Sequence, residues 1–275
     1  MLVPFLIMLR EGIEAALIVG IIGSYLRQTG HTKWMKAVWL GVVLAICLCF
    51  GLGVILKMTT GEYPQKEQEL FAAIIALVAV AMLSWMVLWM KTAARSMKAN
   101  LQASIDRAVT TGDRSGIALV GMAFLAVARE GIESVFFLLA TFEQNVGIEA
   151  PIGAVLGLMA SVAVGYGIYQ GGVRLNLQKF FRWTGVFIIL VAAGLFSSAF
   201  HKAHEAGVWN LLQNTMFDIS NILPVNSAIG TVLAGILGYN DAPTVGEVVA
   251  YFGYLIPMLL LFFAANKAPK PTTQS

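Results

Sequence analysis

Two pentapeptides hold the residues most suited to chemistry in this sequence. Arg10-Glu11-Gly12-Ile13-Glu14 and Arg129-Glu130-Gly131-Ile132-Glu133 are identical, lie 119 residues apart, and each falls near the middle of a long apolar run. On a helix turning about 100° per residue, Glu11 and Glu14 stand about 60° apart and Arg10 and Glu14 about 40°, so one face presents all three groups. Each such charge costs about 2.5–3.5 kcal/mol to place at a bilayer centre, so an identical triplet placed there twice calls for partners inside the protein. Ion pairing alone does not balance the site. Four carboxylates and two guanidiniums leave a charge of −2, which a low-dielectric interior does not tolerate uncompensated. A cation with a preference for oxygen ligands would supply the missing charge. A divalent ion brings the sum to zero and a trivalent one to +1, so the count does not choose between them.

The elements that must carry these residues are membrane helices. Of the 275 residues 58% are hydrophobic and 12% charged, too apolar for a water-facing surface, and disorder, collagen and nucleic-acid binding are excluded on the same ground. Seven apolar runs are long enough to span: 3–26, 36–56, 70–90, 117–140, 148–170, 184–203 and 247–265. The first has no basic leader before Arg10 and is expected to remain as a helix. Thirteen Lys and Arg fall on one side of this arrangement against Lys57, Lys66 and Lys202 on the other, which puts the N-terminus outside and the C-terminus in the cytoplasm. The expected class is an all-α polytopic membrane protein. Its units are residues 1–90, a first three-helix repeat; 91–116, a cytoplasmic connection that continues the third helix; 117–203, a second three-helix repeat; 204–246, an external amphipathic region; and 247–275, a seventh helix with a cytoplasmic tail. The offset of 119 residues also carries the second run onto the fifth. Because three spans separate the motifs, the two units are expected to be inverted-topology repeats with a site between them at the midplane.

With these motifs in place, the sequence resembles the oxidase-dependent iron transporters, comprising the EfeU-type permeases of bacteria and the fungal high-affinity ferric permeases. The similarity extends to Pro64-Gln65-Lys66-Glu67-Gln68-Glu69-Leu70-Phe71 and His204-Glu205-Ala206-Gly207. The resemblance implies import of ferric iron across the bacterial inner membrane, with Glu11, Glu14, Glu130 and Glu133 as the iron-binding residues. It further implies a periplasmic iron-binding protein and a haem-containing peroxidase as partners. No permanently bound cofactor is expected, iron being the cargo. Arg10 and Arg129 are expected to keep the glutamates ionised and oriented.

Other groups have weaker claims. Glu62, Glu67 and Glu69, with Glu143 and Glu149, read first as a solvated loop, the alternative being an acidic external mouth that concentrates cations. His201, His204 and Glu205 share one side of a helix end and could hold a cation at the entrance. Tyr166, Tyr169 and Gln170 could line an exit. Met82, Met86 and Met90, beside Trp85 and Trp89, form a stripe that would suit a soft ion but read as packing. Cys47 and Cys49 point to different sides of a helix and make no metal site. Residues 208–219 show the apolar periodicity of an amphipathic helix. A proton-coupled carrier that uses the same glutamates as a relay is the alternative function. An intramembrane enzyme has no nucleophile or H-E-x-x-H motif to work with, so no enzymatic activity is expected.

Overall fold

The computed structural model describes residues 1–60, 64–110, 115–142, 148–169 and 177–264. Its helices are α1 (Leu2–Gln28), α2 (Met35–Thr60), α3 (Gln65–Thr110), α4 (Ser115–Phe142), α5 (Glu149–Tyr169), α6 (Leu177–Glu205), α7 (Ala228–Leu237) and α8 (Val245–Ala264), with a short 3₁₀ turn, Thr32–Trp34, leading into α2. Each expected apolar run coincides with a helix over its described residues, apart from Ile148 in a turn; residues 170 and 265 lie outside those described. Among the described residues, five helices are long and apolar enough to cross a membrane, those containing Thr32–Leu56, Gln65–Trp89, Ala150–Gly167, Arg182–Glu205 and Val245–Ala264. α1 and α4 have 27 and 28 residues, ample length, but each has its three ionisable motif residues in mid-run. α3 continues unbroken for 46 residues to Thr110, about 69 Å at 1.5 Å per residue and more than twice a bilayer core. Its far end is anchored by Ile105, buried with Ile22, Leu26, Val38, Leu119 and Ala123.

The packing is crossed. α1 lies along α5, and α2 lies along α4, while α3 packs on α6. Small residues permit the close approach. A Cβ added to Gly41 on α2 would lie 2.5 Å from the Val120 carbonyl oxygen on α4, and one on Gly153 of α5 would collide with the Met1 carbonyl oxygen that begins α1. Inside the motifs, Gly131 meets Cys49 of α2 and Gly12 meets Ser161 of α5. These contacts correspond in pairs, with an offset of 119 residues from α1 to α4 and 112 from α2 to α5. The single offset of 119 expected for both helices therefore does not hold for the second, because Gly12 to Cys49 spans seven more residues than Gly131 to Ser161, the extra length lying in the helices and not in the connections. Adding bulk against a backbone carbonyl forces the helices apart, at roughly 1–3 kcal/mol for an overpacked core. Gly41→Val and Gly153→Val should each lower the thermal unfolding temperature in detergent. Gly51→Ala, with nothing within 4 Å of its Cβ position, should leave it unchanged.

The amphipathic helix expected over 208–219 is absent. α6 ends at Glu205, Gly207 turns into the left-handed region at φ 78°, and Leu212 follows with φ 60°, a common helix stop. The amides beyond find partners across the chain instead of along it. Met216 N–H donates to Pro243 O and Ile219 N–H to Asp241 O, both at 2.9 Å, and Thr215 bridges Thr244. The apolar spacing of this segment thus serves an irregular layer folded back on itself. α7 is capped by the Ser227 hydroxyl, which accepts from Gly230 N–H at 3.0 Å. It ends at Gly238, φ 65°, packed directly on Gly194 of α6. Gly194 precedes the end of α6 by eleven residues, about 16 Å of helix, so α7 descends beside α6 and α1.

Candidate metal centre

Arg10, Glu11 and Glu14 on α1 are 2%, 2% and 5% exposed. The Arg10 guanidinium reaches both glutamates, Glu11 Oε1 at 2.9 Å and Glu14 Oε1 at 3.0 Å. It also donates to the Met86 Sδ of α3 at 3.2 Å. On α4, Glu130 and Glu133 are likewise buried. Arg129 Nε pairs with Glu133 Oε1 at 3.2 Å, and the guanidinium carbon lies 4.4 Å from the centre of the Trp89 ring. The two arginines are not equivalent, since the Arg129 side chain is 42% exposed against 2% for Arg10.

The two motifs meet. Glu11, Glu14 and Glu130 each offer one carboxylate oxygen, and these three oxygens lie within 4.8 Å of one another. Glu133 stands beside this trio, close enough for its charge to act on Glu11 and Glu14. The Oε2 atoms of Glu11 and Glu133 are buried with no hydrogen-bond donor among the described residues. Buried carboxylate oxygens of this kind are costly unless a donor or cation reaches them. The arrangement can therefore bind a small cation through oxygen at the crossing of α1 and α4, with two guanidiniums at its margin.

The other predicted residues fall elsewhere. His201, His204 and Glu205 do not converge on one point. His201 Nδ1 bonds Glu247 Oε1 at 3.0 Å and its Nε2 lies 3.5 Å from Glu205 Oε1, whereas the His204 ring turns to the Trp209 carbonyl at 3.1 Å. The acidic mouth is also reduced, because Glu69 is paired with Lys202 at 3.0 Å. Glu67 is an exposed first-turn residue of α3, where a carboxylate complements the helix dipole. Glu62, Glu143 and Gln170, and the side chains of Glu149, Tyr169 and Met90, lie outside the described residues. Tyr166 is exposed. Cys49 is buried against the Ala128 carbonyl at 3.7 Å, while Cys47 is exposed.

Three further residues take part that the motif spacing does not mark. Met86 and Trp89 have the pattern of packing residues, yet each contacts a motif arginine. Glu247, at the head of α8, is 6% exposed and receives hydrogen bonds from Asn240 Nδ2 at 3.0 Å and the Thr244 hydroxyl at 3.2 Å in addition to its contact with His201. The signal for it was present. Thr244-Val245-Gly246-Glu247 has the spacing of a helix-capping pair ahead of an apolar run.

Known proteins with similar sequences give the family. The chain is 57% identical over 263 residues to the ferrous iron permease EfeU of Yersinia pestis, covering 96% of this chain and 93% of that one. It is 57% identical over 261 residues to the protein of the same name from Yersinia pseudotuberculosis serotype I, covering 95% and 92%. To that of Escherichia coli O157:H7 it is 53% identical over 275 residues, the full length of both. No solved structure matches. Residues 1–266 match the iron permease FTR1 family, and with relatives this similar along nearly the whole chain, the protein belongs to that family.

Proposed function

We propose that this protein imports iron across the bacterial inner membrane through a midplane site built from Glu11, Glu14, Glu130 and Glu133. The observation that carries the reading is the convergence of carboxylates from both motifs, with buried oxygens of Glu11 and Glu133 that meet no donor group among the described residues. In this reading α1 to α6 and α8 make seven spans, the two motif helices running antiparallel. The paired contacts of Gly41 with Val120 and of Gly153 with Met1 support an inverted repeat, since a twofold exchange of α1 with α4 and α2 with α5 maps one onto the other. Iron enters from the outside, displaces the guanidiniums from the carboxylates, and leaves when one crossed pair rocks against the other.

Ferric iron was the expectation from the resemblance to fungal permeases. The relatives above are named for ferrous iron. The charge count does not choose between a divalent and a trivalent ion, so the assignment rests on those names. We therefore assign ferrous iron as the cargo. The hard oxygen donor set would favour ferric iron, and vesicle uptake with and without an oxidant distinguishes the two. Uptake under strictly reducing conditions is the expected result, and uptake only after oxidation is the contrary one. The external region at 204–246 is the surface on which a periplasmic iron-binding protein and a peroxidase would dock in this reading.

Orientation has its own check. In a background lacking the native cysteines, Gly30→Cys should be labelled by an impermeant maleimide only from the cytoplasm, and Asn145→Cys only from outside. Labelling of both from one face would mean that α1 and α4 run parallel and would undo the inverted repeat.

A further inference from the structure

The two motif arginines reach the same short stretch of α3. Arg10 donates to Met86 Sδ at 3.2 Å and Arg129 stacks at 4.4 Å from the Trp89 ring centre, and residues three apart share one helix face. We propose that Met86 and Trp89 are positioning residues that receive the guanidiniums when a cation takes the glutamates, an inference that rests on the four-glutamate site proposed above. A guanidinium displaced from its carboxylate by an incoming cation loses its anionic partner and faces a second positive charge, inside the protein for Arg10 and half-exposed for Arg129. It needs an acceptor that does not itself compete for the cation. A thioether and an indole face supply polarisable electron density without a formal charge. A carboxylate at 86 or 89 would hold the arginine permanently, and alanine would give it no acceptor. The two copies of the motif show the two ends of this movement. Arg10 is buried on two glutamates with the thioether beside it, whereas Arg129 keeps one glutamate contact, is 42% exposed and lies over the ring.

The test is equilibrium binding of ferrous iron, kept anaerobic, to the purified full chain in detergent. Wild type is compared with W89A, W89F, R129Q and the double variant R129Q/W89A, and with E11Q and E130Q as site controls. W89A should bind about five-fold more weakly, the loss expected of one cation–π contact, and W89F should recover most of it because a phenyl face remains. In the R129Q background W89A should change nothing further, since the group it serves is gone. A purely structural tryptophan would weaken binding equally in both backgrounds, and that result, or wild-type binding by W89A, overturns the inference. If W89A does not accumulate, W89L makes the same comparison. Wild-type binding by both E11Q and E130Q would overturn the four-glutamate reading beneath, and this inference with it. Loss in those controls with no effect of W89A would overturn the positioning role alone.

Discussion

Glu11→Gln, Glu14→Gln and Glu130→Gln should each cut iron uptake into vesicles by more than about a hundred-fold, since merely disturbing the partners of a metal ligand costs about 10–100-fold. These three carboxylates are the ones whose oxygens lie within 4.8 Å of one another. The amide keeps the side-chain volume and one oxygen but removes the charge that makes the site attractive to a cation. Because each substitution also relieves burial of an anion, the variants should accumulate in the membrane at least as well as wild type. Lost uptake therefore cannot be put down to lost protein. Glu133→Gln should have a smaller effect, since Glu133 stands outside the trio whose oxygens lie within 4.8 Å of one another. Uptake at the wild-type rate by two of the first three variants would remove them from the site.

Arg10→Ala should be the most destabilising single change in the motifs. It leaves Glu11 and Glu14 buried without their counter-charge, and removing one partner of a buried pair costs about 3–5 kcal/mol. Arg129→Ala should cost much less, because its side chain is 42% exposed and solvent already screens the pair with Glu133. Thermal unfolding without iron measures this asymmetry. Added ferrous iron should restore part of the stability lost in Arg10→Ala, because the cation replaces the missing charge. In transport, Arg10→Lys should retain partial activity and Arg10→Ala almost none, since lysine keeps the charge but not the fork that reaches both glutamates at 2.9 and 3.0 Å. Equal destabilisation by Arg10→Ala and Arg129→Ala would contradict the geometry described for the two pairs.

The motif glutamates stood out in the sequence because charge at the centre of an apolar run is rare and expensive, and its repetition in five identical letters implied a shared site. The apolar runs were legible for the same reason, as lipid-facing length leaves a plain mark in composition. What each helix touches was not legible. Gly41 and Gly153 read as ordinary small residues until the crossing of α2 with α4 and of α5 with α1 placed a carbonyl oxygen against each. Met86 and Trp89 have the side chains of packing residues, and only the position of α3 turned them toward arginines. The 208–219 segment shows the opposite failure. Its apolar spacing satisfied a helical pattern, but Gly207 and the cross-chain amide bonds of Met216 and Ile219 gave it another structure. Nothing local in the sequence ties Glu69 to its partner, Lys202, which lies 133 residues away.

The central claim is that both motifs supply ligands to one ion, and anomalous scattering at the iron edge from crystals of the full chain soaked in ferrous iron under anaerobic conditions tests it most directly. The predicted result is a single strong peak at the crossing of α1 and α4, within bonding distance of Glu11, Glu14 and Glu130, that disappears in Glu130→Gln. A peak held by residues of α1 alone, or one at His201 and Glu247 with the motif glutamates bare, would contradict it.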